Sequence, residues 1–310
     1  MHERLRVPAA LIASGLAGVL VALQSRVNGG LSQELGNGYV TAAASFGSGL
    51  VILLLALCVS RRGRRGLARL RTEVRAGRLP WWTLLGGLGG ASFVLAQGLV
   101  APVTGLALFT VGIVAGQVLG GLVLDRAGLG PGGRIDPTVM RIVGTVLAVV
   151  AIGISVGLDP AARSVMWLVV FPVAIGFGVA AQSMVNGLTR AAARSAMTST
   201  LVNFIVGTAA LVAIAIVSVA VSGWPTAWPS APGYYIGGLI GTIFIAVAAM
   251  LVRTAGVLLL SMSNVAGQLV AAVAFEAWAP LAAGVTPGMI AGAAVALLAV
   301  AVAAVPQRRG

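Results

Sequence analysis

Runs of apolar residues, each closed by glycine, proline or arginine, recur along the whole chain. They predict helices near residues 8–27, 38–60, 81–100, 104–125, 138–158, 163–187, 195–222, 234–254, 256–278 and 285–305. Each run is close to the roughly 20 residues that carry an α-helix across a hydrocarbon layer about 30 Å thick. Within such a layer a helix satisfies its own backbone groups, which an isolated extended segment cannot do. Connections between the runs are short, except for RRGRRGLARLRTEVRAGRLP after the second and WPTAWPSAPG after the seventh. The pattern predicts an all-α polytopic membrane protein with ten transmembrane helices.

Composition strengthens this reading. Of 310 residues, 59% are hydrophobic and only 9% charged, and the mean hydropathy is +1.03. Soluble domains carry roughly 25% charged residues, so this chain cannot cover itself with a polar surface. A lipid bilayer is its expected solvent. The single cysteine, Cys58, excludes an intramolecular disulfide. The one histidine is His2, and the sequence contains no HExxH, no cysteine cluster and no phosphate-cradling loop. No enzyme activity, cofactor or metal is therefore expected, and ATP is not expected as a direct energy source.

The net charge of +13 would suggest nucleic acid as a partner if it were spread over a surface. Instead the charge lies between the apolar runs, so no nucleic acid partner is expected. Short loops rich in arginine stay on the cytoplasmic side. With the Arg61–Arg78 loop inside and an even number of spans, both termini are cytoplasmic and 18 of the 20 arginines fall inside, leaving Arg26 and Arg163 outside. Those eight loop arginines read first as a topology anchor, with a basic surface helix touching anionic lipid as the alternative. Arg4 and Arg6 before an apolar stretch resemble a secretory leader. The same segment has an internal counterpart, which argues for a retained span.

That counterpart belongs to a repeat. QSRVNG at Gln24–Gly29 returns as QSMVNG at Gln182–Gly187, and the offset of 158 also pairs Gly18 with Gly176, Phe46 with Phe204, Gly49 with Gly207 and Leu53 with Leu211. It sets Ser45 against Asn203. Beyond the arginine loop the offset becomes 151: GGLGGASF at Gly86–Phe93 meets GGLIGTIF at Gly237–Phe244, Gly105 meets Gly256, and VAGQ recurs at Val114–Gln117 and Val265–Gln268. Eight residues past each VAGQ stands a carboxylate, Asp125 and Glu276. The expected units are residues 1–158 and 159–310. Five spans per unit is an odd number, so the second copy enters the membrane from the opposite side, as in alternating-access transporters.

Polar groups inside the spans are the candidate chemistry. Gln117 and Gln268 fall mid-span, where an amide facing lipid costs a few kcal/mol. They either line a central cavity or join helices by hydrogen bonds, and the residues leave both readings open. Gln24 with Asn28, and Gln182 with Asn186, are spaced i, i+4 on one helix face, the first pair toward the outer surface and the second toward the inner. A gate or vestibule competes there with simple helix-to-helix bonding. Asn203, Asn264 and Ser45 are further cavity candidates. Asp125 and Glu276 are expected as interfacial anchors or as sites for a coupling proton. Their positions at span ends argue against a mechanism resting on one deep carboxylate. Glycine pairs such as Gly86 with Gly90 and Gly116 with Gly120 read as packing seams.

QSxVNG in each half, GQ in the fourth and ninth spans and a carboxylate eight residues later resemble the YdcZ-like branch of the drug/metabolite transporter superfamily, over nearly the whole chain. The resemblance implies a fused pair of five-helix units with a central cavity between them and the fifth and tenth spans as scaffold. It implies a secondary transporter, exporter or facilitator, of a small-molecule substrate, acting as a monomer or homodimer. It names no substrate. A non-transporting membrane subunit and a flippase for lipid-linked substrates remain the rival expectations.

Overall fold

The computed structural model describes residues 2–129, 133–134, 136–158, 163–244, 257–282, 284–303 and 305. Among these the regular structure is entirely helical. The elements are α1 (His2–Leu35), α2 (Gly38–Val59), α3 (Arg61–Arg75), α4 (Gly87–Leu99), α5 (Leu106–Ala127), α6 (Val139–Gly157), α7 (Val170–Ala193), α8 (Ala196–Ser222), α9 (237–244), α10 (Val257–Trp278) and α11 (Pro287–Ala303). Turns of 3-10 helix at Trp81–Gly86 and Met166–Val169 extend α4 and α7 at their N-termini. The remainder of the eighth expected span, 245–254, lies outside the described residues, as do Asp159 and Gly256.

Among the described residues, six stretches are long and apolar enough to cross a membrane: Gly38–Val59, Trp81–Leu99, Leu106–Ala127, Val139–Gly157, Met166–Ala193 and Ala196–Ser222. Their outward faces agree with that. Leu55 and Val59 of α2, Val146 and Val149 of α6, and Val217 and Val221 of α8 are each more than half exposed. Apolar surface on this scale has no stable contact with water.

Polar residues mark where helices begin. Asn37 Oδ1 accepts from the Tyr39 and Val40 amides at 3.1 Å, Ser60 Oγ from Gly63, Thr138 Oγ1 from Arg141 and Ser195 Oγ from Thr198. Each bond satisfies a donor that the first helical turn leaves free.

Two boundaries differ from the sequence reading. Helix α1 runs to Leu35 and α7 to Ala193, so both QSxVNG motifs lie inside helices and not after them. The asparagine and glycines look like a stop signal, but Gly29 packs against Leu281 and Gly30 against Tyr234, and tertiary packing overrides local propensity there. The arginine-rich connection likewise folds as α3, whose buried Gly63, Gly66 and Leu70 share one face.

Four helix pairings form the frame: α1 on α10, α5 on α7, α2 on α8 and α6 on α11. Small residues let these backbones approach closely. A β-carbon at Gly18 of α1 would stand 1.9 Å from the Asn264 carbonyl oxygen of α10, and one at Gly176 of α7 would stand 2.1 Å from the Ile113 carbonyl oxygen of α5.

Candidate functional site

Helix α1 turns its amides inward at one end of the bundle. Gln24 Nε2 donates to the Gly237 carbonyl at 2.9 Å, and Asn28 Nδ2 donates to Gln97 Oε1 at 2.6 Å. Gln97 in turn donates from Nε2 to Ser25 Oγ at 2.8 Å, and Ser32 Oγ donates to the Gly98 carbonyl at 2.5 Å. Gln24, Ser25, Asn28, Ser32 and Gln97 are all buried. Against this cluster sits Gly237 of α9: a β-carbon there would lie 2.2 Å from Asn28 Oδ1 and 2.7 Å from Ser45 Oγ. Both of those oxygens are buried without a hydrogen-bond partner. Leaving such a group unpaired costs about 1–3 kcal/mol, so two of them converging on one glycine are unusual in a packed interior.

A similar corner is built around Gly86 by α7 and α8. Asn203 Nδ2 donates to Asn186 Oδ1 at 2.5 Å, and a β-carbon at Gly86 would stand 3.0 Å from Asn203 Oδ1 and 3.2 Å from Asn186 Oδ1. Gln182 lies against Gly90 as Gln24 lies against Gly241, with Nε2 2.7 Å from the β-carbon position in both cases. The offsets of 158 and 151 convert the contacts of Gly237 with Asn28 and Ser45, and of Gly241 with Gln24, into those of Gly86 with Asn186 and Asn203, and of Gly90 with Gln182. Gly18 against Asn264 and Gly176 against Ile113 obey the same relation.

The corners are equivalent in position but not in closure. Asn28 and Gln24 are 0% and 8% exposed, whereas Asn186 and Gln182 are only half-buried. Gln182 also lacks the hydrogen bond to α4 that the relation with Gln24 would supply. Two further clamps close the first corner: Arg26 Nε donates to the Ala279 carbonyl at 2.5 Å and Gln33 Nε2 to the Leu281 carbonyl at 2.7 Å. Their repeat positions hold Met184 and Ala191, which carry no comparable donor.

Gln117 and Gln268 are not joined to each other. Gln268 is 2% exposed and Gln117 half-buried, and neither makes a hydrogen bond. Each sits one position before the apolar seam where Val114 and Val118 of α5 meet Val265 and Leu269 of α10. Asn264 is half-buried and donates to the Ser14 carbonyl at 3.4 Å.

The paired carboxylates have different surroundings. Asp125 accepts from Arg141 at 2.7 Å at a partly exposed helix end. Glu276 is fully buried; its Oε2 accepts the Leu106 amide at 2.7 Å and its Oε1 the Ala282 amide at 3.3 Å. It therefore caps the N-terminus of α5 from across the bundle, where the helix dipole favours negative charge. Gly105 precedes that helix at φ 77°, and a β-carbon there would lie 3.0 Å from Glu276 Oε1.

Gln97, Arg26 and Gln33 are participants the sequence reading passed over. Gln97 has Ala248 at its repeat position, so it was invisible to a search for paired residues. A lone amide inside the apolar stretch Phe93–Val100 was the available signal. Among the described residues no group of three His, Cys, Asp or Glu side chains could hold a metal ion. The lining is neutral amide and hydroxyl, suited to exchanging hydrogen bonds with a polar solute.

Comparison with known proteins places this geometry. A family profile described as "Putative inner membrane exporter, YdcZ" matches twice, over residues 9–154 and 167–304. No curated protein matches the chain. Among solved structures, one crystal structure of a protein that is 18% identical superposes with a TM-score of 0.54 over 95% of this chain and 96% of that one, and so shares its fold.

Proposed function

Because the chain belongs to the YdcZ family of the drug/metabolite transporter superfamily, we propose that it is a secondary transporter, exporter or facilitator, that carries a small polar solute across the cytoplasmic membrane by alternating access. Residues 1–158 and 159–310 act as two inverted five-helix units, ten spans in all, with both termini in the cytoplasm. The second profile match and the reciprocal contacts around Gly237 and Gly86 support this arrangement.

One observation carries the reading: two chemically matched corners, related by the repeat offsets, are closed to different extents. Two halves that can exchange conformations open one site to either side in turn. With Arg26 outside, the sealed corner of Gln24 and Asn28 is the outer gate, and the half-open corner of Gln182 and Asn186 is the inner one. The structure is then an inward-facing state. Solute entering from the cytoplasm meets Asn186, Asn203 and Gln182 first, then Gln117 and Gln268. Asn28 Oδ1 and Ser45 Oγ gain partners when Gly237 withdraws and solute reaches them, which favours solutes that offer hydrogen-bond donors.

The test begins with a thermal-stabilisation screen of the purified protein against neutral, anionic and cationic metabolites, followed by flux of each stabilising solute into proteoliposomes. Solute-dependent flux is expected, reduced roughly tenfold by Asn28→Ala or Asn186→Ala, the loss of about 1.4 kcal/mol of interaction. Stabilisation without flux would mark a non-transporting subunit and overturn the proposal.

A further inference from the structure

Helix α3 has no use in the transport site, yet it is built with care. Its Arg61, Arg62, Arg64, Arg65, Arg69, Arg71 and Arg75 are all exposed, while Gly63, Gly66 and Leu70 are buried on the opposite face. That buried face does not meet lipid. It docks on the turn between α7 and α8: a β-carbon at Gly66 would stand 2.3 Å from Thr198 Oγ1, Thr198 Oγ1 donates to the Gly63 carbonyl at 3.1 Å, and Leu70 packs with Leu79 and Ala193.

Two of the segment's guanidiniums are spoken for. Arg64 donates to the Leu57 and Cys58 carbonyls at the end of α2, and Arg78 grips both oxygens of Glu73 at 2.7 and 2.8 Å. The other six, Arg61, Arg62, Arg65, Arg69, Arg71 and Arg75, make no hydrogen bond or ion pair among the described residues. A topology signal needs only positive charge in a loop. It does not need that charge arrayed on one face of a helix whose other face is anchored to the second half of the molecule.

The level of α3 relative to the bilayer is marked on both sides. It follows directly on the outward-facing Leu55 and Val59 of α2, and it is followed by Trp81 and Trp82, 67% and 41% exposed. Exposed tryptophans next to apolar spans sit at the headgroup level. The free guanidiniums are thus held where phosphate groups lie.

We propose that α3 is a docking surface for anionic phospholipid, with Arg62, Arg65 and Arg69 as the stripe that binds the headgroup phosphates. These three lie at i, i+3 and i+7, on one line along the helix. Guanidinium forks suit phosphate oxygens through paired N–H donors. Because α3 rests on Ser195 and Thr198 at the start of α8, bound lipid steadies the inner corner of the bundle. The proposal does not depend on which solute is carried.

The test uses the full-length protein in a neutral detergent, titrated with phosphatidylglycerol, phosphatidylcholine or inorganic phosphate, with binding read by native mass spectrometry and by the thermal unfolding midpoint. Phosphatidylglycerol alone is expected to bind and to raise the midpoint. Each arginine near an anionic surface contributes about fivefold in affinity, so the triple Arg62→Gln, Arg65→Gln, Arg69→Gln variant should bind on the order of a hundredfold more weakly. The corresponding triple lysine variant, which keeps the charge, should recover most of the binding. Equal phosphatidylglycerol binding by the wild type and the glutamine variant would overturn the proposal. An equal response to inorganic phosphate would also overturn it, by making the surface a site for the free anion. Solute flux is measured separately, so wild-type protein that transports solute but binds no phosphatidylglycerol refutes this inference and leaves the transport reading standing.

Discussion

Phe46 and Phe204 stack with ring centroids 4.6 Å apart and planes inclined by 21°, and they occupy the same position in the two halves of the chain. The stack therefore joins two positions related by the repeat offset of 158. The packing around it follows suit, since a β-carbon at Gly49 would meet Phe204 and one at Gly207 would meet Phe46. Both rings are nearly buried, so Phe46→Ala and Phe204→Ala should each destabilise by about 3–5 kcal/mol. Because the two rings share one contact, the double variant should fall well short of the sum. Thermal unfolding in detergent checks this, and strict additivity would show that the stack contributes nothing.

At Gly237 an added methyl comes within 2.2 Å of Asn28 Oδ1 and 2.7 Å of Ser45 Oγ, whereas at Gly86 the nearest atom is the Val185 Cγ2 methyl at 2.6 Å and the polar oxygens stand at 3.0 Å or more. Gly237→Ala should therefore spread the outer corner more than Gly86→Ala spreads the inner one. Labelling of Ser45→Cys by an impermeant thiol reagent, in a Cys58→Ser background because Cys58 is exposed, reads the difference. Faster labelling is expected with Gly237→Ala, and equal rates for both variants would refute the assignment.

Arg26 and Gln33 hold α1 to residues 279–281, and their repeat positions are Met184 and Ala191. Substituting Arg26→Met together with Gln33→Ala copies the inner corner onto the outer one. Each lost bond contributes about 0.5–1.5 kcal/mol, so the accessible fraction at Ser45→Cys should rise several-fold. An unchanged labelling rate would remove both residues from the gate.

Glu276→Ala strips the buried Leu106 amide, and the less buried Ala282 amide, of their acceptor and should lower stability by about 1–3 kcal/mol. Asp125→Ala, which breaks a partly exposed ion pair, should cost less than about 1 kcal/mol. Comparable losses in thermal unfolding would contradict the asymmetry between these repeat partners.

Glu73 titrates below its ordinary value of 4.5, first because Arg78 hydrogen-bonds its carboxylate, with the charges of Arg78 and Arg194 adding to the effect. The pair's contribution to α3 is fully present above that ordinary value and is lost as pH falls through the lowered folded value. Hydrogen exchange at the C-terminal turn of α3 should quicken in that acidic window, corrected for intrinsic rates. Glu73→Gln should abolish the transition by bringing the faster exchange of the acidic state to neutral pH.

Much of the plan was open to direct reading. Apolar runs marked the six described stretches that are long and apolar enough to cross a membrane, because a bilayer imposes length and hydropathy together. Paired residues such as Gln24 and Gln182 exposed the repeat because two copies of one fold keep the same close contacts. Helix ends were less legible: Gly29 and Gly30 resemble a terminus locally, and only Leu281 and Tyr234 packed against them explain why α1 continues.

Among the candidate residues, the sequence by itself determined which side chains are costly in a membrane and how they pair across the repeat. It could not distinguish partners from bystanders. Asp125 and Glu276 looked alike along the chain, yet one is held by Arg141 and the other caps α5. Gln97, with no repeat equivalent, joins Asn28 and Ser25 in the outer corner. Tertiary structure alone decided these matters, because burial and hydrogen bonding depend on residues such as Gly237 and Leu106, brought together from opposite halves of the chain. It also decided that Gln24 and Asn28 are buried while Gln182 and Asn186 are half-buried, since burial depends on the packing around each pair.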